Sequence, residues 1–100
     1  MKKGGAIYIL ANQNNTTLYT GVTSNLLRRM HEHKTGKYKY SFSNRYNVTK
    51  LVYYEIFTHI EDAIAREKQI KAGSRKKKEA LINTMNPKWE DLSYSIGYED

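Results

Sequence analysis

The stretches that decide the fold are Ala-Ile-Tyr-Ile-Leu at residues 6–10 and Leu-Tyr-Thr-Gly-Val at residues 18–22. Both are rich in aromatic and β-branched residues, which favour strands. The polar segment Asn-Gln-Asn-Asn-Thr at residues 12–16 separates them, and asparagine tolerates the left-handed backbone angles that tight turns need. The sequence therefore predicts a β-hairpin in which Tyr8 and Tyr19 are close to cross-strand neighbours.

The rest of the chain shows the signals of one further strand and three helices. Asparagine, serine and glycine residues mark helix ends, and a run of aromatic and β-branched residues marks the strand. Thr58 and Glu61 have the spacing of a capping box that would begin the second helix. The order ββαβαα predicts an α+β fold with a small three-stranded antiparallel sheet flanked by helices. The predicted bounds are strands 6–11, 17–22 and 50–57, helices ending near 35 and 72, a helix over 75–85, a short turn over 87–92 and a loose tail over 93–100.

Length and composition exclude several classes of protein. The chain has 100 residues and no cysteine, which excludes disulfides, thiolate metal sites and thiol nucleophiles. No apolar run approaches the roughly 20 residues needed to span a bilayer, and the apolar stretch near the N-terminus is too short for a secretory signal. We therefore expect one cytoplasmic domain over residues 1–92, with neither a membrane partner nor a small-molecule cofactor.

The net charge of +7 is unevenly distributed along the chain. Seven of the 17 basic residues lie in 28–50, where Glu32 is the only acid, and seven more lie in 66–78, where Glu67 is the only acid. This segregation indicates a surface that binds a polyanion, although a merely solvated surface is the alternative. The candidate nucleic-acid contacts are Arg28, Lys34, Lys37, Lys39, Arg45, Lys71, Arg75, Lys76, Lys77 and Lys78.

Helical periodicity places one acid on an apolar surface. At 100° per residue, the second helix carries an apolar stripe of Ile60, Ala63, Ile64 and Ile70, and Glu67 lies at its centre. A carboxylate in that position is costly unless a metal ion or a hydrogen-bonding partner satisfies it. The alternative is that Glu67 lies near a sheet edge and pairs with a basic residue.

The first helix has a similar asymmetry. Leu26 and Met30 mark its apolar side. Arg29 and His33 flank that side, whereas Arg28 points nearly opposite. Arg29 rather than Arg28 is therefore expected to reach a site on the sheet. The alternative is that Arg29 lies along the surface with its charged end in water.

The order of these features resembles the GIY-YIG endonuclease family. In that family a hairpin with paired tyrosines, an arginine on a helix, a later glutamate and an asparagine near the end of the domain build one nuclease site. The first motif has Ala6 in place of glycine and the second has Thr20 in place of isoleucine, but Tyr8, Tyr19 and Gly21 are retained. The resemblance covers nearly the whole chain and is greatest to the small stand-alone bacterial members.

The resemblance implies a metal-dependent endonuclease that hydrolyses phosphodiester bonds in DNA, including branched or damaged DNA. It implies one Mg²⁺ or Mn²⁺ ion with Glu67 as the protein ligand, because no further acids converge for a two-metal site. Arg29 would bind the scissile phosphate. One of the tyrosines would act as the base, with its pKa lowered by a cation such as His33 or Lys71. The implied catalytic residues are Tyr8, Tyr19, Arg29, His33, Glu67 and Asn86.

Two questions stay open at this point. Asn86 would order the site, but because it precedes Pro87 it is equally interpretable as a turn or helix cap. The whole chain is alternatively a catalytically inactive module that keeps the fold and binds DNA or RNA. The tyrosines, Arg29 and Glu67 favour the enzyme, because a pure binding module does not need an acid inside a basic face.

Overall fold

The computed structural model describes residues 4–36 and 45–99. These residues contain three antiparallel strands and three α-helices in the order ββαβαα. The sheet has the strand order β2-β1-β3, so the predicted α+β fold is confirmed. The elements are β1 (Gly5–Ala11), β2 (Leu18–Thr23), α1 (Leu26–Thr35), β3 (Lys50–Phe57), α2 (Ile60–Lys71), α3 (Arg75–Met85) and a terminal 3-10 helix, η1 (Leu92–Ile96).

The hairpin register decides which side chains share a face. Tyr8 lies opposite Gly21, and Leu10 lies opposite Tyr19. Because alternate residues of a strand point to the same face, the two tyrosines are diagonal neighbours on one face of the sheet. The turn is closed by Asn12, whose side-chain oxygen accepts hydrogen bonds from backbone amides in the same turn at 2.8 and 3.0 Å.

The sheet carries a hydrophobic core on each face. Side chains at odd positions of β1 face α2 and α3, and those at even positions face α1 and η1. On the face covered by α2 and α3, the buried residues are Ile7, Ile9, Ala11, Val52, Tyr53, Ala63, Ile70 and Ile82. On the face covered by α1 and η1, they are Tyr8, Leu10, Met30, Val48, Leu51 and Tyr98.

Local side chains fix the ends of α1 as expected. The Asn25 side chain accepts a hydrogen bond from the Arg28 amide at 3.0 Å, and Gly36 closes the helix with a left-handed φ of 67°. The N-terminal connection is short, since β2 ends at Thr23 and α1 begins at Leu26. The chain itself therefore fixes where the first turn of α1 begins.

Two expectations for α2 are wrong. The N-cap is His59, with no side-chain capping bond, so Thr58 and Glu61 do not form a capping box. Glu61 and the adjacent Asp62 instead place negative charge in the first turn, where the helix dipole favours it. Ile64 is 38% exposed and lies outside the buried stripe, because the helix rests on the sheet along Ala63 and Ile70.

The segment expected to be a loose tail is packed. Ser93 is fully buried and Tyr98 is 8% exposed, while Leu92 and Ile96 contact the core beneath α1. The apolar residues of η1 therefore complete the core on that face of the sheet. No helix in the described part of the chain is long and apolar enough to cross a membrane.

Candidate active site

Three of the predicted catalytic side chains form one aromatic cluster on the α1 face of the sheet. The Tyr8 hydroxyl lies 3.1 Å from Nε2 of His33, and both residues are buried. The ring centroid of Tyr19 lies 6.2 Å from that of Tyr8 and 5.9 Å from that of His33. Tyr19 also contributes to the raised pKa of Tyr8. The hairpin and α1 therefore bring these three rings together, as expected from the sequence.

Gly21 makes this cluster possible. A β-carbon at this position would lie 2.5 Å from both Cζ and the hydroxyl oxygen of Tyr8, and 3.0 Å from Cε1 of Tyr19. The phenol of Tyr8 thus fills the space that Gly21 leaves beside Tyr19. Glycine is required here for close packing, since no other residue lacks the β-carbon.

Replacing Gly21 by alanine is expected to destabilise the fold by about 1–3 kcal/mol, the usual cost of overpacking a core. The new methyl group would push the Tyr8 hydroxyl away from His33. The measurement is the free energy of unfolding in urea. Gly73→Ala is the matched control, because a β-carbon there meets its nearest atom at 3.3 Å. Equal stabilities for the two variants would show that Gly21 is not needed for this packing.

Arg29 lies beside the aromatic cluster, whereas Arg28 does not. The Arg29 side chain is 34% exposed, and its Nε lies 3.7 Å from Oε1 of Glu32. Its positive charge acts on both Tyr8 and His33. Arg28 is exposed. The two arginines have the orientations that the helical phase predicts.

The electrostatic expectation for the tyrosine base is wrong for Tyr8. Burial raises the pKa of Tyr8 above its ordinary value, and the opposing effect of Arg29 is smaller. Burial also lowers the pKa of His33 to about 4, with Arg29 as a further cause. At neutral pH, Tyr8 is therefore protonated and His33 is a neutral ring. His33 cannot be the cation that activates a tyrosine.

Glu67 projects from α2, which packs on the opposite face of the sheet from Tyr8 and His33. Its side chain is 12% exposed, and its Oε2 lies 2.8 Å from Nζ of Lys71. Lys71 is the partner that satisfies this carboxylate, which is the ion pair foreseen as the alternative. Because 52% of its side chain is exposed, Lys71 can move away from Glu67 into solvent.

The acidic side chains of the described residues do not form the cluster that a two-metal centre needs. Within residues 4–36 and 45–99, no three His, Asp or Glu side chains are grouped as a metal site would need. Mg²⁺ keeps several waters and is commonly bound by one or two carboxylates together with substrate phosphate. Glu67 is therefore the residue that would hold such an ion, with Lys71 displaced.

Asn86 is a structural cap in this fold. It is 5% exposed and ends α3. Its side-chain amide donates to the carbonyls of Val52 at 3.1 Å and Glu90 at 2.7 Å, and its oxygen accepts from the Glu90 amide at 3.0 Å. These bonds tie the turn after α3 to β3, so the structure matches the cap interpretation.

Several basic residues expected on the nucleic-acid surface are engaged within the protein. The Lys34 ammonium lies 2.6 Å from Asp91, and the Lys78 ammonium donates to the Gly73 carbonyl at 2.9 Å. Arg75 donates to two carbonyls of the β1–β2 turn at 2.8 and 2.5 Å. The contacts of Lys34 and Arg75 join elements distant in sequence, so charge alone does not identify the residues available to a ligand.

Other candidate cations remain on the surface. Arg28, Lys76 and Lys77 are exposed, and the Arg45 guanidinium lies 5.7 Å from the Tyr46 ring. Lys37 and Lys39 lie outside the described residues. The exposed cations of α1 and α3 are on elements that pack on different faces of the sheet.

Sequence reasoning missed a polar network between β3 and α2. The Tyr53 hydroxyl donates to Glu55, and Nε of Arg66 donates to the two oxygens of Glu55 at 3.0 and 3.3 Å. Burial and the bond to Glu55 raise the pKa of Tyr53 to about 12. Burial alone would raise the pKa of Glu55, but bonds from Arg66 and Tyr53 lower it overall. The alternation of Tyr53 and Glu55 along β3 was the available signal.

The fold and the tyrosine face define a domain of the GIY-YIG type. The family model described as the GIY-YIG catalytic domain matches residues 4–80. The chain therefore belongs to the GIY-YIG catalytic domain family, whose members are typically nucleases.

Individual relatives agree with this assignment. A UPF0213 protein of Syntrophus aciditrophicus is 40% identical over 81 residues, which cover 81% of this chain and 91% of that protein. A UPF0213 protein of Clostridium perfringens is 36% identical over 91 residues, covering 90% and 95% of the two chains. The solution NMR structure of a UPF0213 protein from Bacillus halodurans is similar at a TM-score of 0.56 and 29% identity, covering 89% of this chain and 93% of that one.

Proposed function

We propose that this protein is a metal-dependent DNA endonuclease that hydrolyses phosphodiester bonds. The observation that carries the proposal is the cluster of Tyr8, Tyr19 and His33 beside Arg29, in which Tyr8 and His33 are hydrogen-bonded. Such a site needs a group that accepts a proton from water and a cation that binds phosphate. Glu67, on the helix that packs on the other face of the sheet, would supply the ligand for Mg²⁺ or Mn²⁺, which when bound would neutralise charge on the phosphate oxygens. This role requires the scissile phosphate to lie at the β2 edge of the sheet, where the two faces meet.

Burial distinguishes the roles of the two tyrosines. Tyr8 is 1% exposed, so attacking water cannot reach it, whereas Tyr19 is only partly buried. Tyr19 is therefore the tyrosine that could accept a proton from the attacking water. Tyr8, hydrogen-bonded to Nε2 of His33 at 3.1 Å, would position the neighbouring Tyr19 ring.

Arg29 would bind the scissile phosphate from the first turns of α1. Its planar guanidinium can donate two parallel hydrogen bonds to phosphate oxygens, and half-burial strengthens their electrostatic effect. As the water oxygen bonds to phosphorus, the bond from phosphorus to the 3′ oxygen breaks. The products are then a 5′ phosphate and a 3′ hydroxyl that takes its proton from solvent.

The exposed lysines of α3 provide a test of DNA binding. If about five phosphate contacts are made, the slope of log affinity against log salt should be near −4 to −5, and Lys76→Ala with Lys77→Ala should flatten it by about 2. The cleavage rate at saturating DNA should be unchanged. Lys88→Ala is the control, since Lys88 is exposed outside the two basic segments. A slope unchanged by the α3 substitutions would place these lysines off the DNA surface.

A catalytically inactive DNA- or RNA-binding module is the second candidate, and the ion pair between Glu67 and Lys71 favours it. The pair already satisfies the carboxylate without a metal ion. The endonuclease would cut the nucleic acid when a divalent ion is present, whereas the inactive module would only bind it.

The deciding experiment uses labelled linear, nicked, flapped and branched DNAs, and an RNA of matched sequence. Each is incubated with the protein in Mg²⁺, in Mn²⁺ and in chelator, and both binding and strand scission are measured. Metal-dependent scission of one or more DNAs supports the endonuclease. Binding of the DNAs or of the RNA without scission in either metal would support the inactive module.

A further inference from the structure

The described C-terminal segment is anchored to α1 through one partly buried acid. Asp91 precedes η1, and its Oδ2 lies 2.6 Å from Nζ of Lys34. Its other oxygen accepts hydrogen bonds from the Leu51 amide at 3.1 Å, the Ser93 amide at 3.0 Å and the Ser93 hydroxyl at 2.7 Å. One carboxylate thus joins α1, β3 and η1.

Lys34, the partner of Asp91, also makes several contacts. Its side chain is 12% exposed, and its ammonium also donates to the Thr49 carbonyl at 3.1 Å. The same ammonium lies 5.5 Å from the ring centroid of Tyr94 and 5.2 Å from that of Tyr98. Both rings belong to the segment that Asp91 begins. A charge-assisted bond and two cation–π contacts therefore fix this side chain.

Lys34 lies in the last turn of α1, next to His33, so this anchor also acts on the position of His33. The two ends of α1 are fixed in different ways, since a short connection from β2 sets the N-terminal end and Lys34 lies in the last turn. His33 is the adjacent residue, and its ring contacts Tyr8. If the last turn of α1 lifted, His33 would move more than Arg29, which lies nearer the fixed end.

We propose that Asp91 is a positioning residue for the nuclease site: by holding Lys34 it fixes the last turn of α1 and keeps His33 on the Tyr8 hydroxyl. This inference rests on the proposed function for its catalytic consequence, but the geometry can be tested without it. Asp91 lies beyond residues 4–80, the part of the chain that matches the family model.

The test compares Asp91→Asn with Glu90→Gln, which neutralises the preceding, exposed acid. The readout independent of activity is the titration and tautomer of His33, followed by NMR of its ring nitrogens. The charged and titratable groups around His33 are Arg29, Glu32, Tyr8 and Tyr19. In wild type and in Glu90→Gln the pKa of His33 should stay near 4. In Asp91→Asn it should rise towards the ordinary value of about 6.5, because the ring gains access to water.

The catalytic readout compares the effect on kcat with the effect on KM for DNA. Asp91→Asn should lower kcat roughly 10- to 100-fold, the scale of a small misplacement of a catalytic group, and leave KM for DNA nearly unchanged. Lys34→Met, which keeps the packing on the tyrosine rings, should have the same effects and serves if Asp91→Asn does not fold.

Unchanged His33 titration in a folded Asp91→Asn or Lys34→Met protein would overturn the positioning role. A shifted titration in the variant, together with a wild-type protein that cleaves no DNA, would support the positioning role and reject the nuclease. The two claims therefore fail through different observations.

Discussion

Replacing Glu67 by glutamine is expected to abolish DNA cleavage while leaving DNA affinity nearly intact. Glutamine keeps the shape of the side chain but removes the charge that would hold a divalent ion. Stability should change by no more than about 1 kcal/mol, because the carboxylate is lost with its half-exposed partner Lys71. The measurements are the single-turnover cleavage rate, the affinity for DNA and the free energy of unfolding.

The control for this variant is Glu61→Gln, which removes an exposed acid from the first turn of the same helix. It should cleave DNA at the wild-type rate. Wild-type cleavage by a verified Glu67→Gln preparation would end the proposal of one metal ion at Glu67. Loss of activity in both variants would point to a general requirement for acid on α2.

Replacing Arg29 by alanine is expected to cost about 3 kcal/mol of transition-state stabilisation, or roughly 150-fold in cleavage rate. Arg29 lies beside the aromatic cluster, where its charge acts on groups that would contact the reacting phosphate. Arg29→Lys should recover only part of the rate, because an ammonium cannot donate the two parallel bonds of a guanidinium. The measurement is kcat/KM at constant ionic strength.

Arg28→Ala is the matched control because the same charge is lost one residue away, on an exposed position. It should weaken binding in a salt-dependent way and leave the rate at saturating DNA near the wild-type value. Equal losses of rate in the two variants would contradict the assignment of Arg29 to the site by helical phase.

The sequence predicted the elements well where pattern and boundary signals agreed. The bounds of β3 and α3 are those predicted, 50–57 and 75–85, because dense β-branched residues mark the first and capping residues mark the second. The ends of α1 follow from Asn25 and Gly36. Local rules sufficed for these elements, since their signals lie within a few residues of the boundary.

Long-range contacts explain what the sequence did not predict. Ser93 and Tyr98 are buried because the terminal segment packs beside α1 on the same face of the sheet. No local signal in the last residues indicates that contact. The same holds for Lys34, whose charge suggested a DNA contact until Asp91 was found beside it. Charge and periodicity describe a side chain on its own element, whereas these partners come from elements distant in sequence.

The sequence predicted which residues lie at the candidate site better than it predicted their pKa values. The tyrosine face, Arg29 and His33 follow from alternation and helical phase. The raised pKa of Tyr8 was not foreseen, because it depends mainly on burial under α1 rather than on a neighbouring charge. The pairing of Glu67 was foreseen as an alternative, since Lys71 follows one turn later on the same helix.

The most direct test of the endonuclease assignment is the cleavage of covalently closed circular DNA, single-stranded and double-stranded, in single-turnover conditions. Circles offer no ends to an exonuclease, so any scission is internal. The account predicts new 5′ phosphate and 3′ hydroxyl ends in Mg²⁺ or Mn²⁺, and none in chelator. Circles that are bound but remain closed in both metals would contradict it.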